Sequence, residues 1–454
     1  MARRYDDDDD DRYDDRYDDY DEDDEDYDDD YDDDDYDDRR PVRKSSKKSS
    51  RSGGRSSGRS SSSGGSKRSS GSRKNKNSGE MSGRKKRAVV IFAIEIVALL
   101  GLLVAAYKIV IPFTNMGRVE LKTIKISKES GTVDLKENEV IVNEAVADNQ
   151  EMQGYRNIAL FGVDARDKQL KKNTRSDTIM ICSINQESGD IRLVSVYRDT
   201  YLNLSNDSYN KCNAAYANGG PAQAISMLNM NLDLDISDFV TVGFTGLTQA
   251  IDELGGIQVD VESAVIDHLN NYQISMVGKK DGTNAAGEDN FVATAGKDYI
   301  PVTQSGMQTL NGLQATAYCR IRYVGDDFAR AERQRRVLTA TLEKAKKSDV
   351  NTLTKIADKV FDKTYTSLDL KEIVELLGGI TKYNVVGDEG FPVEEFRATG
   401  NMGSKYGSCV LPMDLQANVK WLHGFLFDDK DYTVTADVQD YSDKIAADVA
   451  RLRR

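Results

Sequence analysis

Beyond residue 150 the apolar positions fall into two alternating periods. "RNIALFGVD" is a continuous apolar run that stops at Gly162 and Asp164, the pattern of a buried strand that delivers an acid at its C-terminal end. "TIMICSIN" and "DIRLVSVYRDT" predict two further strands, with Gly189 and Asp190 placed for a hairpin turn. A helix is expected over 221–231, opening on Pro221, a good first-turn residue. "DFVTVGF", "TGLTQAIDELGG" and "IQVDV" then read as strand, helix with a glycine stop, and strand. The stretch 267–298 is polar and glycine-rich and is expected to be a long surface excursion. After residue 326 the period turns helical to about 347, with further helices over 351–361 and 369–380. No internal repeat is evident. The prediction is a single mixed α/β domain over 151–430, a central sheet flanked by helices, followed by a C-terminal tail over 431–454.

The first part of the chain has other patterns. Residues 1–38 are almost entirely Asp and Tyr, and 39–87 are Ser, Gly, Arg and Lys. Neither segment has the aliphatic content to offset the entropy of ordering, so both are expected to be disordered. The stretch 88–111 opens with "AVVIFAIEIVALLGLLVAAY", the length of a membrane-crossing helix, interrupted only by Glu95. Arg84, Lys85, Lys86 and Arg87 precede it and only Lys108 follows closely, so the expected topology is single-pass in the cell membrane, with a cytoplasmic N-terminus and the rest extracellular. Residues 112–150 would form a juxtamembrane stalk with two short strands, "LKTIKI" and "NEVIVN".

Charge changes the picture. The net −14 sums an acidic tail of about −21, a basic segment of about +17 and a remainder near −10. The acidic tail could dock cytoplasmic partners or simply solvate the chain. Four cysteines, with no CxxC spacing, and two histidines, His268 and His423, leave little for a zinc site or a histidine-based triad. Cys182 and Cys319 lie in apolar runs and read as core; Cys212 and Cys409 are left open between thiol and disulfide.

Against this acidic background "RIRYVGDDFARAERQRRVL" gathers six arginines. Asp327, Arg330 and Gln334 fall on one helix face, and Arg320 and Arg322 alternate in what reads as the end of a strand. Upstream, Asp164, then Arg175 and Asp177, then Arg198 and Asp199 all sit where apolar strands start or stop, the edge at which open α/β sheets bind ligands. Arginine forks match phosphate oxygens, and paired carboxylates suit a hard cation such as Mg²⁺. The same spacings also fit arginines and acids that merely pair with one another.

"NIALFGVDARD", "RSDTIMICSIN", "IRLVSVYRDTYL", "LNGLQATAYCRIRY" and "DDFARAERQRRVL", in that order, resemble the LytR–CpsA–Psr family of cell-wall ligases, and "LPMDLQANVKWLHGFL" resembles the family's closing segment. The resemblance implies a Mg²⁺-dependent phosphotransferase, with Mn²⁺ as a possible substitute. Its substrate would be an anionic glycopolymer, of teichoic acid or capsular polysaccharide type, on a polyprenyl-pyrophosphate carrier, and its acceptor would be peptidoglycan in a Gram-positive type envelope. By position it implies metal-binding Asp164 and Asp177, diphosphate-binding Arg175, Arg198, Arg320, Arg322 and Arg330 with Gln334, and Arg198, Asp199 and Asp327 in the catalytic machinery. Asp199 and Asp327 are the candidates for general base, and Asp199 could equally serve by fixing Arg198. Tyr197 stands where the family usually has proline, and Ala329 where it has glycine. The resemblance also implies an apolar lipid tunnel between sheet and helices, for which Leu228, Leu232, Leu247 and Leu254 are candidate lining. The alternative is a non-catalytic envelope module that binds polyprenyl diphosphate or glycopolymer without turnover. Nucleic acid is not an expected partner, because the acidic tract repels phosphates.

Overall fold

A computed structural model describes residues 118–127, 136–147, 149–164, 170–283, 289–361 and 363–452. All of them belong to one compact unit. In chain order the elements are β1 (Lys122–Ile126), β2 (Glu139–Asn143), β3 (Tyr155–Val163), β4 (Ser176–Asn185), β5 (Asp190–Val196), β6 (Tyr201–Asn203), β7 (Tyr209–Lys211), α1 (Asn213–Leu232), β8 (Asp238–Gly243), α2 (Phe244–Glu253), β9 (Ile257–Val261) and α3 (Ile266–Val277). They continue with β10 (Lys279–Thr283), β11 (Asp289–Val292), β12 (Gly306–Leu310), α4 (Gly312–Arg320), α5 (Asp327–Ala345), α6 (Val350–Phe361), β13 (Thr364–Thr366), α7 (Leu370–Gly378), β14 (Asn384–Phe391), β15 (Arg397–Asn401), β16 (Ser408–Pro412), α8 (Leu415–Phe427) and α9 (Ala436–Leu452).

The centre is a six-stranded mixed sheet in the order β13-β8-β3-β4-β5-β14. Alternation along its strands divides the side chains between two layers. Ala159, Phe161, Ile179, Ile181, Val194 and Phe239 face one way, into a core shared with α1, α8 and α9. Ile158, Met180, Leu193 and, partly buried, Leu160 and Val240 face the other way, towards Leu338 and Leu342 of α5. A second core lies beneath the β9–β12 pair, where Ile257, Val259, Leu269, Leu310, Tyr318 and Val337 meet. The expected mixed α/β domain with helices flanking a central sheet is what the chain forms.

Several boundaries differ from expectation. The helix expected from Pro221 already runs from Asn213 and is broken at Gly219–Gly220, where Gly220 takes φ 66°. A Cβ on Gly220 would come 2.5 Å from the Lys171 carbonyl oxygen, so only glycine fits that break, and Pro221 restarts the helix without a donor to lose. The polar excursion contains α3 and the β10–β11 hairpin. Instead of ending in a tail, the chain closes with α9, whose Val438 and Ile445 are fully buried, worth about 1.5–3 kcal/mol each. Nor does the segment before residue 150 stand off as a stalk: every residue of β2 is buried, and Asn229 and Ser226 of α1 hydrogen-bond its backbone. The four cysteines are unbridged thiols; Cys319 is buried as expected, and Cys182 only partly.

The expected membrane topology is corrected here. Among the described residues no helix is long and apolar enough to cross a membrane, and the segment 88–111 on which the single-pass placement rested lies outside them. The two tail segments, 1–38 and 39–87, also lie outside the described residues.

Candidate functional site

Between the sheet and its second helical layer lies a cavity of about 470 Å³. Its walls are apolar: Leu160, Met180, Val240 and Val242 from the sheet, Leu247 from α2, and Val337 and Leu338 from α5. Its mouth is charged, with Asp164, Asp177, Arg320, Arg322 and Arg330 all in the lining, and Gln334 beside them. The topology explains the convergence. β3 and β8 run parallel, β4 is antiparallel to both β3 and β5, so the ends of β3, β5 and β8 and the start of β4 share one edge of the sheet. Asp164, Arg198, Phe244 and Asp177 stand at those four positions.

The approach to that edge is close. Gly162 of β3 lies so near Thr178 that a Cβ would come 2.8 Å from its hydroxyl oxygen. On the helical side Asp326 caps α5, accepting from the amides of Phe328 and Ala329, which places Asp327 and Arg330 in the first helical turns facing the strand ends.

Arg198 is the hub of the charged cluster. Its Nε donates to Asp327 Oδ2 at 2.9 Å and its Nη1 to Asp177 Oδ1 at 2.8 Å. Arg322 donates to Asp177 Oδ2 at 3.2 Å, and Arg330 donates from Nη2 to the Asp177 carbonyl at 3.3 Å. Burial pushes the Asp177 carboxyl up, but Arg330, Arg198 and Arg322 outweigh it and hold it below the usual range. Asp327 follows the same rule: burial raises it, and Arg330 and Arg198 bring it below its ordinary value. Asp199 goes the other way, because burial outweighs Arg198 and Lys211, while Asp327 pushes it further up. Burial by itself would lower Arg198, but Asp199, Asp327 and Asp177 raise it.

Arg330 is only 3% exposed, and its Nε and Nη1 have no hydrogen-bond partner. Its partner on Nη1 is an ion pair to Asp327 at 3.4 Å. Burial lowers it, and the cations Arg198 and Arg322 add to that against the pull of Asp327 and Asp177. Buried guanidinium N–H groups without acceptors are costly and mark a place where an anion's oxygens are wanted.

The predicted residues thus divide. Asp164, Asp177, Arg320, Arg322, Arg330 and Gln334 meet in the lining, and Arg198 and Asp327 adjoin it in a small recess shared with Asp177, Arg330 and Gln334. Arg175 does not join them: it is exposed and outside the lining. Asp199 also stays outside, behind Arg198, 3.5 Å from its Nε and 3.5 Å from Lys211 Nζ. Arg320 and Arg322 do not share a strand. Arg320 ends α4 and Arg322 follows in the loop; they reach the same mouth because the helix end and the loop both turn towards β3 and β4. Of the tunnel candidates only Leu247 lines the cavity. Leu228 and Leu232 are buried on the opposite face of the sheet, and Leu254 packs with Ala345 and Leu353.

Three contributors were not foreseen. Phe244 and Tyr272 carry Arg320, whose guanidinium lies 4.2 Å and 5.5 Å from their ring centroids. The Tyr272 phenol is pushed up by burial; Arg322 and Arg320 oppose this, and Tyr323 adds to it, so these groups share one small volume. Arg333, itself buried, donates to the carbonyls of Ile321 at 2.9 Å and of Val324, which pins the loop that carries Arg322. An aromatic directly after a strand could have flagged Phe244; Tyr272 was hidden in a stretch read as loop. The other two arginines of the motif turn away, Arg335 to Asp388 and Arg336 to Glu262 and Glu332.

Among the described residues no group of three or more His, Cys, Asp or Glu side chains is placed to hold a metal ion. What the mouth offers is a pair of lining carboxylates, Asp164 and Asp177, each bound by an arginine. An oxygen-only pair fits Mg²⁺, which commonly takes one or two protein carboxylates and completes its shell with water and ligand phosphate.

The LytR_cpsA_psr family model matches residues 119–408. The chain belongs to that family. Among curated relatives, it is 30% identical over 233 residues to the polyisoprenyl-teichoic acid–peptidoglycan teichoic acid transferase TagT of Bacillus subtilis, covering 50% of this chain and 65% of the relative. It is 26% identical over 309 residues to TagV of the same organism, covering 66% of this chain and 69% of that one. The chain therefore spans about two thirds of the length of these relatives. A solved structure described as TagT bound to LIIa-WTA aligns with TM-score 0.48 at 21% identity, over 69% of this chain and 100% of that chain.

Proposed function

We propose that this member of the LytR_cpsA_psr family is a phosphotransferase that moves an anionic glycopolymer from a polyprenyl diphosphate carrier to peptidoglycan. The reading is supported by the names of its curated relatives, which are teichoic acid transferases to peptidoglycan. The observation that carries it is the union of an apolar cavity with a mouth where the buried Arg330 has no hydrogen-bond partner on Nε and, on Nη1, only an ion pair to Asp327 at 3.4 Å. A polyprenyl chain suits the walls, and a diphosphate suits the guanidinium groups at the mouth.

In this reading Arg320, Arg322 and Arg330 hold the diphosphate, with Gln334 at the edge of the same lining. The acceptor hydroxyl attacks the sugar-proximal phosphorus and gives up its proton to solvent, the bond from that phosphorus to the bridging oxygen breaks, and polyprenyl phosphate leaves with the negative charge. Such transfers proceed mainly by positioning and by stabilising the leaving charge, so a strong base is not needed. Asp327, held below its ordinary range by two arginines, is a weak base and instead orients Arg198 and Arg330. Asp199 orients Arg198 from behind. Asp164 and Asp177 would hold Mg²⁺, or Mn²⁺ in its place. When bound, the ion would neutralise diphosphate oxygens.

Two variants test the proposal, assayed by transfer from a polyprenyl-diphosphate-linked glycopolymer and by binding of the bare polyprenyl diphosphate. Leu247→Trp fills the cavity and should weaken lipid binding at least about tenfold, the effect of a lost apolar subsite. Arg330→Met should lower transfer by at least about a hundredfold, since it removes the least solvated cation of the mouth. If both variants fold, by circular dichroism, and both transfer at the wild-type rate, the reading is wrong.

A further inference from the structure

Beside the apolar walls and the arginine mouth of the cavity, just outside its lining, stands an aromatic side chain that interacts with the lining residue Tyr272: Tyr323. It follows Arg322 directly, is 74% exposed, and is the one aromatic among the most exposed large hydrophobic side chains of the described residues. Its ring is nonetheless held. His268 stacks behind it, with centroids 5.5 Å apart and planes at 24°. His268 and Tyr272 are four residues apart on α3, one helical turn, and Tyr272 lines the cavity.

The loop that presents Tyr323 is tied down by a buried side chain. Arg333, 5% exposed, grips the carbonyls of Ile321 and Val324, on either side of Tyr323. Placing a guanidinium so far from water is expensive. The fold accepts that cost to fix a loop that carries the cavity-lining Arg322 and, next to it, the exposed ring of Tyr323. A tyrosine fixed in this way offers a flat apolar face with little conformational entropy left to lose on binding.

We propose that Tyr323, backed by His268, is the platform on which the first sugar ring of the diphosphate-linked substrate stacks, and that it sets a preference for glycosylated over bare polyprenyl diphosphate. The inference rests on the function proposed above. A carrier-linked glycopolymer is ordered lipid, diphosphate, sugar, and the protein offers an apolar cavity, arginines at its mouth, and an aromatic face next to the lining residues Arg322 and Tyr272. A pyranose has an apolar C–H face for the ring, and its hydroxyl edge is left to solvent.

The test compares two ligands on the full chain: polyprenyl diphosphate alone, and the same lipid diphosphate bearing one N-acetylhexosamine. Wild type is expected to bind the glycosylated ligand more tightly. Tyr323→Ala should weaken that ligand about fivefold to tenfold and leave the bare one unchanged, while Tyr323→Trp should keep the preference. Equal wild-type affinities, or equal losses on both ligands in Tyr323→Ala, would overturn the platform and leave the cavity reading standing. Failure of wild type to bind the bare lipid diphosphate would overturn the cavity reading, and the platform with it.

Discussion

Replacing Arg198 by lysine keeps the charge and removes the fork. Arginine serves Asp327 from Nε at 2.9 Å and Asp177 from Nη1 at 2.8 Å at the same time. An ammonium on a flexible stem is a point charge and can replace only one of those bonds. A hydrogen bond between charged groups contributes about 1.5–3 kcal/mol net. Because the Arg198 side chain is 18% exposed, solvent screening takes the lower part of that range, about 1.5–2 kcal/mol. The expected loss in kcat/KM for glycopolymer transfer is therefore about tenfold to thirtyfold. Arg198→Met removes the charge as well, and leaves Asp177 and Asp327 facing fewer cations, so its loss should exceed that of the lysine variant. The acid limb supplies an independent readout. Asp177 and Asp327 have folded-state values below the ordinary one, so their contribution is present above the unfolded value of about 3.9 and is lost as pH falls through the folded values. In Arg198→Met that loss should begin at higher pH, seen as an acid-unfolding midpoint moved upward. An Arg198→Lys variant with wild-type kcat/KM, or an Arg198→Met variant whose acid midpoint does not move, would refute the hub.

Two other perturbations probe the scaffold. Asp233 is fully buried against Thr435, and burial pushes its carboxyl up to about 6. Its contribution is fully present below the unfolded value of about 3.9 and is lost as pH rises through the folded one, so between pH 4 and 7 wild type should lose about 2 kcal/mol relative to Asp233→Asn. Denaturant midpoints measured across that range check it, and a flat difference would contradict it. Gly312 opens α4 against α2, where a Cβ would meet the Thr248 carbonyl oxygen at 1.9 Å. Gly312→Ala should cost about 3 kcal/mol or more and lower Tm by several degrees; unchanged melting would mean that the two helices separate freely.

Much of the fold was legible from short stretches. Strands β3, β4, β5 and β8 and helices α2, α5, α6 and α7 appear where the period of two or of 3.6 placed them. The misses have identifiable causes. The helix before Gly219 has no strong apolar face of its own, because α1 is buried nearly all round and its pattern carries no period. The closing helix α9 reads as polar, yet Val438 and Ile445 are enough to bury one side against the core. The chemistry was likewise half visible. Acids and arginines at strand ends were found, but nothing local distinguishes Arg330, which faces the cavity, from Arg333, which faces backbone carbonyls one turn later.

By itself the amino-acid sequence determined which faces are apolar, where strands stop, and which side chains could meet phosphate, because each follows from periods of a few residues and from the charge of single groups. Only the tertiary structure decided that Arg320 from a helix end, Arg322 from a loop, Arg330 from a second helix and Asp177 from a strand open on one cavity, and that the adjacent Arg198 and Asp199 do different work. The reason is that convergence depends on how the two faces of the sheet are covered, a long-range packing choice. Desolvation, which moves Asp199 up while arginines bring Asp177 down, exists only once that packing has excluded water.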